Sequence, residues 1–276
     1  MTHQEFGFNL LNTQFYGQYF TPSTIKGAVI LVHGMGEHSG RYTEFVIPKL
    51  VEQNLAVITY DQFGHGKTSG KKGHNPSFDA VLDSLSKVIE KARETFGDLP
   101  TFLYGHSMGG NVIINYILRR QHNFKGVIAT SPLLRLAFEP PKWKLFVGKI
   151  IQKIAPSVTM PSELDANSIS RDPIEVKKYI DDTLVHDKIS PNYSLTFFES
   201  GKWAIKNANK LQVPLLIVHG TGDKITDHKA SKEFVDNTNG KATLKLFDDG
   251  YHELHNDLEK EKFIKSINDW ILKTIK

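Results

Sequence analysis

The chain has 276 residues, of which 39% are hydrophobic and 23% charged, a balance typical of a single globular domain with a sizeable core. Its net charge of +4 comes from lysines scattered along the chain, so we expect no nucleic-acid partner. The absence of cysteine excludes disulfides, thiolate zinc sites and a cysteine nucleophile.

The sequence shows no pattern for export or membrane insertion. Residues 1–11 lack the basic start and apolar stretch of a signal peptide, and no apolar run is long enough to span a bilayer. We therefore expect a cytoplasmic protein. The mild positive charge leaves peripheral contact with an anionic membrane surface open.

Strands and helices alternate along the first part of the chain. Aromatic and polar residues alternate over 14–20, which favours an antiparallel hairpin at a sheet edge. Residues 28–32 and 56–60 are apolar runs typical of parallel strands buried on both faces, and 78–96 has helical spacing. This order predicts an α/β fold with a mostly parallel central sheet and helices on both faces.

The glycine-rich loop after residues 28–32 has two interpretations. Gly34 and Gly36 after a strand, with Asp61 ending the next strand, are similar to a dinucleotide-binding motif. The third glycine of that motif is missing, because Ser39 occupies its position. We favour the alternative, in which the loop brings the backbone N–H of Met35 to a carbonyl oxygen.

Residues 101–116 (TFLYGHSMGGNVIINY) predict a nucleophile elbow. An apolar run leads into Gly-His-Ser-Met-Gly, and apolar side chains then recur at helical spacing. A serine in such a strand-to-helix turn projects its hydroxyl above the sheet, which makes Ser107 the candidate nucleophile. The N–H of Met108 at the helix start points outward and can stabilise an oxyanion together with that of Met35.

Ser107 needs a base, because a serine hydroxyl is a poor nucleophile until an imidazole takes its proton. His252 follows the last predicted strand, 243–247, and Asp223 follows the strand before it, 214–218. The order Ser, Asp, His is that of the α/β-hydrolases. The alternatives in the same loops are Asp227, Asp248 and Asp249 as the acid and His255 as the base, while His106 is expected to pack behind the elbow. The histidines lack metal-ligand spacing, and we expect no metal or organic cofactor.

An insertion is expected between the strand at 126–131 and the strand at 214–218. Residues 132–209 contain prolines and amphipathic helical segments, which predicts a helical cap over a core formed by 1–131 and 210–276. One helical stripe of this cap is apolar and has lysines beside it: Trp143, Phe146, Val147, Ile150, Ile151 and Ile154, with Lys142, Lys149 and Lys153. Packing against the core and contact with a membrane surface both explain such a stripe.

Six motifs together resemble the monoacylglycerol lipase branch of the α/β-hydrolases, which includes lysophospholipase-like and serine aminopeptidase-like enzymes. They are HGMGEHSGRY at 33–42, DQFGHGKTSG at 61–70, GHSMGG at 105–110, SISRD at 168–172, GTGD at 220–223 and YHELH at 251–255. The resemblance covers nearly the whole chain and is weakest in the cap. It implies a cap-covered serine hydrolase of monoacylglycerols, with Ser107, Asp223 and His252 as the triad and Met35 and Met108 as oxyanion donors.

A glycerol ester has an apolar tail and a diol head, so its site needs an apolar tunnel and a few convergent polar groups. Glu37, Arg41 and His255 are the candidates for the polar end, although Glu37 and Arg41 could equally form an ion pair that braces the loop. A lysophospholipase, a serine hydrolase of other small esters, thioesters or amides, and a non-enzymatic binder are the remaining alternatives.

Overall fold

The computed structural model describes all residues, Met1–Lys276. Its strands are β1 (Thr2–Leu10), β2 (Thr13–Thr21), β3 (Gly27–Val32), β4 (Leu55–Tyr60), β5 (Thr101–His106), β6 (Gly126–Thr130), β7 (Met160–Pro161), β8 (Lys188–Ile189), β9 (Leu215–Gly220) and β10 (Ala242–Phe247). Eight of them form one sheet in the order β1-β2-β4-β3-β5-β6-β9-β10, and β7 pairs only with β8. The β1–β2 and β2–β4 pairs are antiparallel, and every other pair in the large sheet is parallel.

The central strands are apolar because both of their faces are covered. Every residue of β3, β4, β6 and β9 is buried. Parallel strands end at the same edge of a sheet, so the loops after β3, β5 and β9 converge there. This edge receives the glycine-rich loop, Ser107 and Asp223.

The helices are α1 (Val46–Val51), α2 (Phe78–Phe96), α3 (Met108–Arg119), α4 (Lys142–Ile154), α5 (Pro173–Asp181), α6 (Pro191–Lys206), α7 (His228–Asp236) and α8 (Lys260–Ile275). Helices α1 and α8 share a core with one face of the sheet. Helices α2, α3, α6 and α7 share a larger core with the other face. None of the helices combines the length and apolar character needed to cross a membrane.

The two longest helices between β6 and β9, α4 and α6, differ in how far they are buried. Tyr193, Phe197 and Ala204 of α6 belong to the larger core. Helix α4 has no buried residue, and its predicted stripe faces outward, with Trp143 65% and Phe146 66% exposed. The stripe on α4 is therefore not explained by packing against the core.

Candidate active site

Ser107 lies at the sharp turn between β5 and α3. Its backbone has φ 53° and ψ −115°, a strained conformation for a residue with a side chain. The neighbouring chain leaves no room for side chains at the flanking positions, since a Cβ at Gly105 would collide with the carbonyl of Gly109, and one at Gly109 with that of Val32. The turn therefore places the Ser107 side chain at the carboxyl edge of the sheet, where it lines a cavity.

A continuous line of hydrogen bonds joins Ser107, His252 and Asp223. His252 Nδ1 lies 2.7 Å from Asp223 Oδ2, and because a carboxylate only accepts, this ring nitrogen carries the hydrogen. The other nitrogen, Nε2, lies 2.9 Å from Ser107 Oγ and accepts the hydroxyl proton. This tautomer leaves the imidazole ready to act as a base toward Ser107.

Charge and burial set the pKa values of Asp223 and His252. Burial by itself would raise the pKa of Asp223, but the charge of His252 and hydrogen bonds from His219 and His252 hold it well below its usual value. Burial by itself would lower the pKa of His252, but the charge and hydrogen bond of Asp223 raise it above its usual value. We therefore expect Asp223 to remain ionised and to be placed to stabilise an imidazolium at His252.

A small cavity opens at Ser107. Its walls come from the glycine-rich loop, the elbow, the loop after β9, the His252 loop and the segment between β6 and β9, which contributes Leu164, Asp165, Ala166, Ile169 and Tyr179. About 40 Å³ of it is open to the centres of water molecules. One water needs roughly 10–15 Å³ by this measure, so the cavity holds only a few waters.

A family model described as serine aminopeptidase, S33, matches residues 23–259. The chain belongs to this family. It is therefore a serine hydrolase with the α/β-hydrolase fold, and the predicted fold class is confirmed.

The hydrolase is 40% identical over 250 residues to an uncharacterised abhydrolase-domain protein of Dictyostelium discoideum; this match covers 90% of the chain but 26% of that relative, so the chain spans about a quarter of its length. It is 31% identical over 273 residues to a monoglyceride lipase homologue of Monkeypox virus, with 98% of both chains covered. It is also similar to the crystal structure of Paleococcus ferrophilus monoacylglycerol lipase, with a TM-score of 0.87, 34% identity, and 94% and 99% of the two chains covered.

The two predicted oxyanion donors of the hydrolase flank the serine. Met35 lines the cavity, and its N–H has no partner within the protein. Met108 is the first residue of α3, where an N–H lacks an intrahelical acceptor. Glu37 braces the loop by accepting the N–H of Gly34 at 2.6 Å.

The predicted head-group residues occupy two different environments in the hydrolase. Glu37 lines the cavity. Arg41 lies behind it and donates to Glu37 at 2.9 Å and to both carboxylate oxygens of Glu253 at 2.6 and 2.8 Å. The bracing ion pair therefore forms, with Glu253 as a partner that the sequence analysis missed. Burial by itself would raise the pKa of Glu253, but the charge of Arg41 lowers it to about 2.

His255 does not line the cavity. Its ring is buried and stacks on Tyr42 at 5.0 Å between centroids, and both ring nitrogens lack protein partners. The physical reason is that a short turn follows His252 and directs His255 toward the core shared by α1 and α8, where its ring lies 6.3 Å from that of Phe263. His106 also packs at the elbow, where its Nδ1 lies 3.1 Å from the hydroxyl of Thr130.

The alternative acids lie away from Ser107. Asp227 caps α7 and pairs with Arg135, while Asp248 and Asp249 are exposed. Two further side chains contact Asp223, and the sequence did not predict them: His219 and Thr226. The only sequence feature that could have indicated the contact of His219 is its place in β9, the strand that leads to Asp223. No group of three or more His, Asp or Glu side chains is arranged to hold a metal ion.

Proposed function

We propose that this serine hydrolase cleaves monoacylglycerols to a fatty acid and glycerol through an acyl-enzyme intermediate. The observation that carries the proposal is the hydrogen-bonded line from Asp223 through His252 to Ser107 at the cavity. The similarity to a monoglyceride lipase homologue over nearly the whole length of both chains supports the choice of substrate.

In the proposed mechanism, Ser107 Oγ attacks the ester carbonyl while His252 Nε2 takes its proton. The N–H groups of Met35 and Met108 stabilise the negative oxygen of the tetrahedral intermediate. His252 then gives the proton to the departing glycerol oxygen, and the acyl group stays on Ser107. Water, deprotonated by His252, attacks this ester and releases the fatty acid, which regenerates the Ser107 hydroxyl.

We further propose that residues 132–209 form the cap and that 1–131 and 210–276 form the catalytic core. The walls that this segment contributes over Ser107 are mainly apolar, as the acyl chain of a lipid requires. The cavity is too small for that chain, so the part of the cap that lines it, between residues 164 and 179, must move away from Ser107 before a substrate enters, while α6 stays packed in the core.

The outer surface of the cap supports a proposal of contact with a lipid membrane. Trp143, Phe146 and Ile154 of α4 expose most of their side-chain area to solvent. Lys142, Lys149 and Lys153 lie on the same helix. An exposed apolar stripe beside lysines is typical of helices that lie in the membrane interface.

The substrate assignment is tested by assaying the purified protein with monoacylglycerols, triacylglycerols, lysophospholipids and aminoacyl amides. We expect monoacylglycerols to have the highest kcat/KM, because the cavity is narrow and its polar wall includes Glu37 and Glu253. Preferential cleavage of aminoacyl amides would support a peptidase instead, and preferential cleavage of lysophospholipids would support a phospholipase.

A further inference from the structure

A second buried histidine contacts the same carboxylate oxygen as His252. His219 lies near the end of β9, is fully buried, and places Nε2 3.1 Å from Asp223 Oδ2. The same oxygen lies 2.7 Å from His252 Nδ1 and accepts the Thr226 hydroxyl at 2.8 Å. The backbone N–H groups of Ile225 and Thr226 donate to the other oxygen, Oδ1.

The surroundings of His219 determine which of its nitrogens carries the hydrogen. Besides Asp223 Oδ2, Nε2 lies 3.2 Å from the carbonyl oxygen of Thr226. Both oxygens can only accept, so Nε2 is a donor. Nδ1 then accepts from the Ser231 hydroxyl of α7, 2.8 Å away. His219 thus connects the carboxylate to two rigid elements, β9 and α7.

A second nitrogen donor on Asp223 Oδ2 weakens the hydrogen bond and the charge interaction that this oxygen offers to His252. Donors that share one carboxylate oxygen divide its charge, so the bond from His219 weakens the hold of Asp223 on the His252 imidazolium. The other titratable groups around the pair are Glu37 and Glu253, which raise the pKa of His252, the His106 ring at 4.8 Å from His252, and the His228 ring at 6.3 Å from His219. None of these four groups donates to Asp223, so His219 and His252 are its two titratable donors.

We propose that His219 is a positioning residue, which fixes the Asp223 carboxylate against β9 and limits how strongly that carboxylate binds the protonated form of His252. The inference rests on the proposed roles of Ser107, His252 and Asp223 in catalysis, and it does not depend on which ester is the substrate.

Two amide substitutions separate the roles of the two ring nitrogens. In His219→Gln the side-chain nitrogen reaches the position of Nε2 and keeps the donor to Asp223. In His219→Asn it reaches only the position of Nδ1 and leaves Asp223 without this donor. His228→Asn is the matched control. His228, on α7, lies beside the ring of His219 but has no contact with Asp223.

The experiment measures the rate of fluorophosphonate labelling of Ser107 against pH, with thermal unfolding of each variant recorded in parallel. We expect labelling of His219→Asn to be about tenfold slower at its plateau, the size of one lost hydrogen bond to a charged group. We also expect its acid limb to move up by about half a pH unit, because Asp223 then binds the imidazolium more strongly. His219→Gln and the control should keep the wild-type acid limb.

An acid limb unmoved in His219→Asn, or equal behaviour of the Asn and Gln variants, would overturn the inference. If His219→Asn does not fold, His219→Met, which fills the space without a donor, takes its place. The labelling assay also separates the two proposals. Wild type that is labelled but does not cleave monoacylglycerols contradicts only the substrate assignment, whereas wild type that is never labelled contradicts both.

Discussion

In the proposed mechanism, the reactivity of the Ser107 hydroxyl depends on the protonation of one imidazole, that of His252. Only the neutral ring can accept the serine proton at the observed 2.9 Å. Asp223 raises the pKa of this ring above its usual value of 6.5, against the effect of burial. In this mechanism the same carboxylate orients the proposed base and raises the pH below which it is protonated.

The acid limb of activity should follow this pKa. As the pH falls through the pKa of His252, the ring is protonated and the base is lost, so kcat/KM for a short soluble ester should decline at a pH above 6.5. The measurement is a pH–rate profile from pH 5 to 9. A limb at or below pH 5 would contradict the assignment of His252 as the base.

The buried ion pair behind the cavity predicts a stability effect. Arg41→Met leaves Glu37 and Glu253 as buried carboxylates without their cation, and should cost about 3–5 kcal/mol of unfolding free energy. Arg135→Met is the matched control, since Arg135 also pairs with two carboxylates but is half exposed, and should cost at most about 1 kcal/mol. Equal destabilisation in urea unfolding would argue against the buried pair.

The same ion pair predicts how stability varies with acid. The pKa of Glu253 is lowered to about 2 from 4.5, so its contribution is complete above pH 4.5 and is lost as the pH falls from 4.5 toward 2. In Arg41→Met this loss should be absent.

At the residue scale, sequence predicted the groups whose positions follow from strand order. Ser107 is located by its motif, and Asp223 and His252 by the strands they follow. Glu253 could not be predicted, because its partner Arg41 lies 212 residues away and only the folded chain brings them together. The sequence also left open which of two histidines, His252 or His255, faces Ser107. They are three residues apart, but only His252 contacts the serine.

At the scale of elements, the loop after β3 is attached to the segment between α5 and β8. The N–H of His186 donates to the carbonyl of Gly36 at 2.9 Å. The side chains of His38 and Asp182 lie 2.8 Å apart. His186 Nε2 also donates at 2.8 Å to the carbonyl of Gly64, which lies in the neighbouring loop after β4. The loop that carries Met35 is therefore supported by the proposed cap.

Gly36→Ala tests this support. Gly36 has φ +77°, and a Cβ there would lie 2.6 Å from the carbonyl oxygen of His186. Gly240 has nearly the same φ, +78°, but open space around it. Both alanine variants should lose about 1–2 kcal/mol from backbone strain, but only Gly36→Ala should also lose esterase activity. Equal activity of the two folded variants would show that the cap contact does not support the oxyanion loop.

Helix α4 is the element that we expect to contact a membrane surface. Changing Lys142, Lys149 and Lys153 together to Gln should weaken binding to anionic vesicles, since each lysine near the surface contributes about 1 kcal/mol that salt screens. Hydrolysis of a short soluble ester should stay the same. Co-sedimentation with liposomes at low and high salt measures the effect, and unchanged binding of the triple variant would contradict the proposed contact.

The elements show where sequence patterns stop being informative. Buried apolar runs predicted the central strands, because both faces of a parallel sheet are covered. The outward stripe of α4 could not be distinguished from a core-facing one, since an amphipathic helix has the same periodicity in both settings. The core position of α6 depends on contacts with α3 that no local pattern records.

At the scale of the whole molecule, one sheet edge brings together Ser107, Asp223 and the loop that carries Met35, and part of the chain between β6 and β9 covers them. The cavity left at Ser107 has room for a few waters. An acyl chain needs more volume, so we expect the closed arrangement to alternate with one in which residues 164–179 of the proposed cap have moved away from Ser107.

The central claim is that Ser107 forms the acyl-enzyme in hydrolysis of a monoacylglycerol. The most direct measurement is the release of fatty acid and glycerol from a long-chain monoacylglycerol by purified wild type and by folded Ser107→Ala. We expect equimolar products from wild type and a loss of about 10⁴-fold or more in kcat for the variant. Turnover by Ser107→Ala at the wild-type rate, or no turnover by wild type, would contradict it.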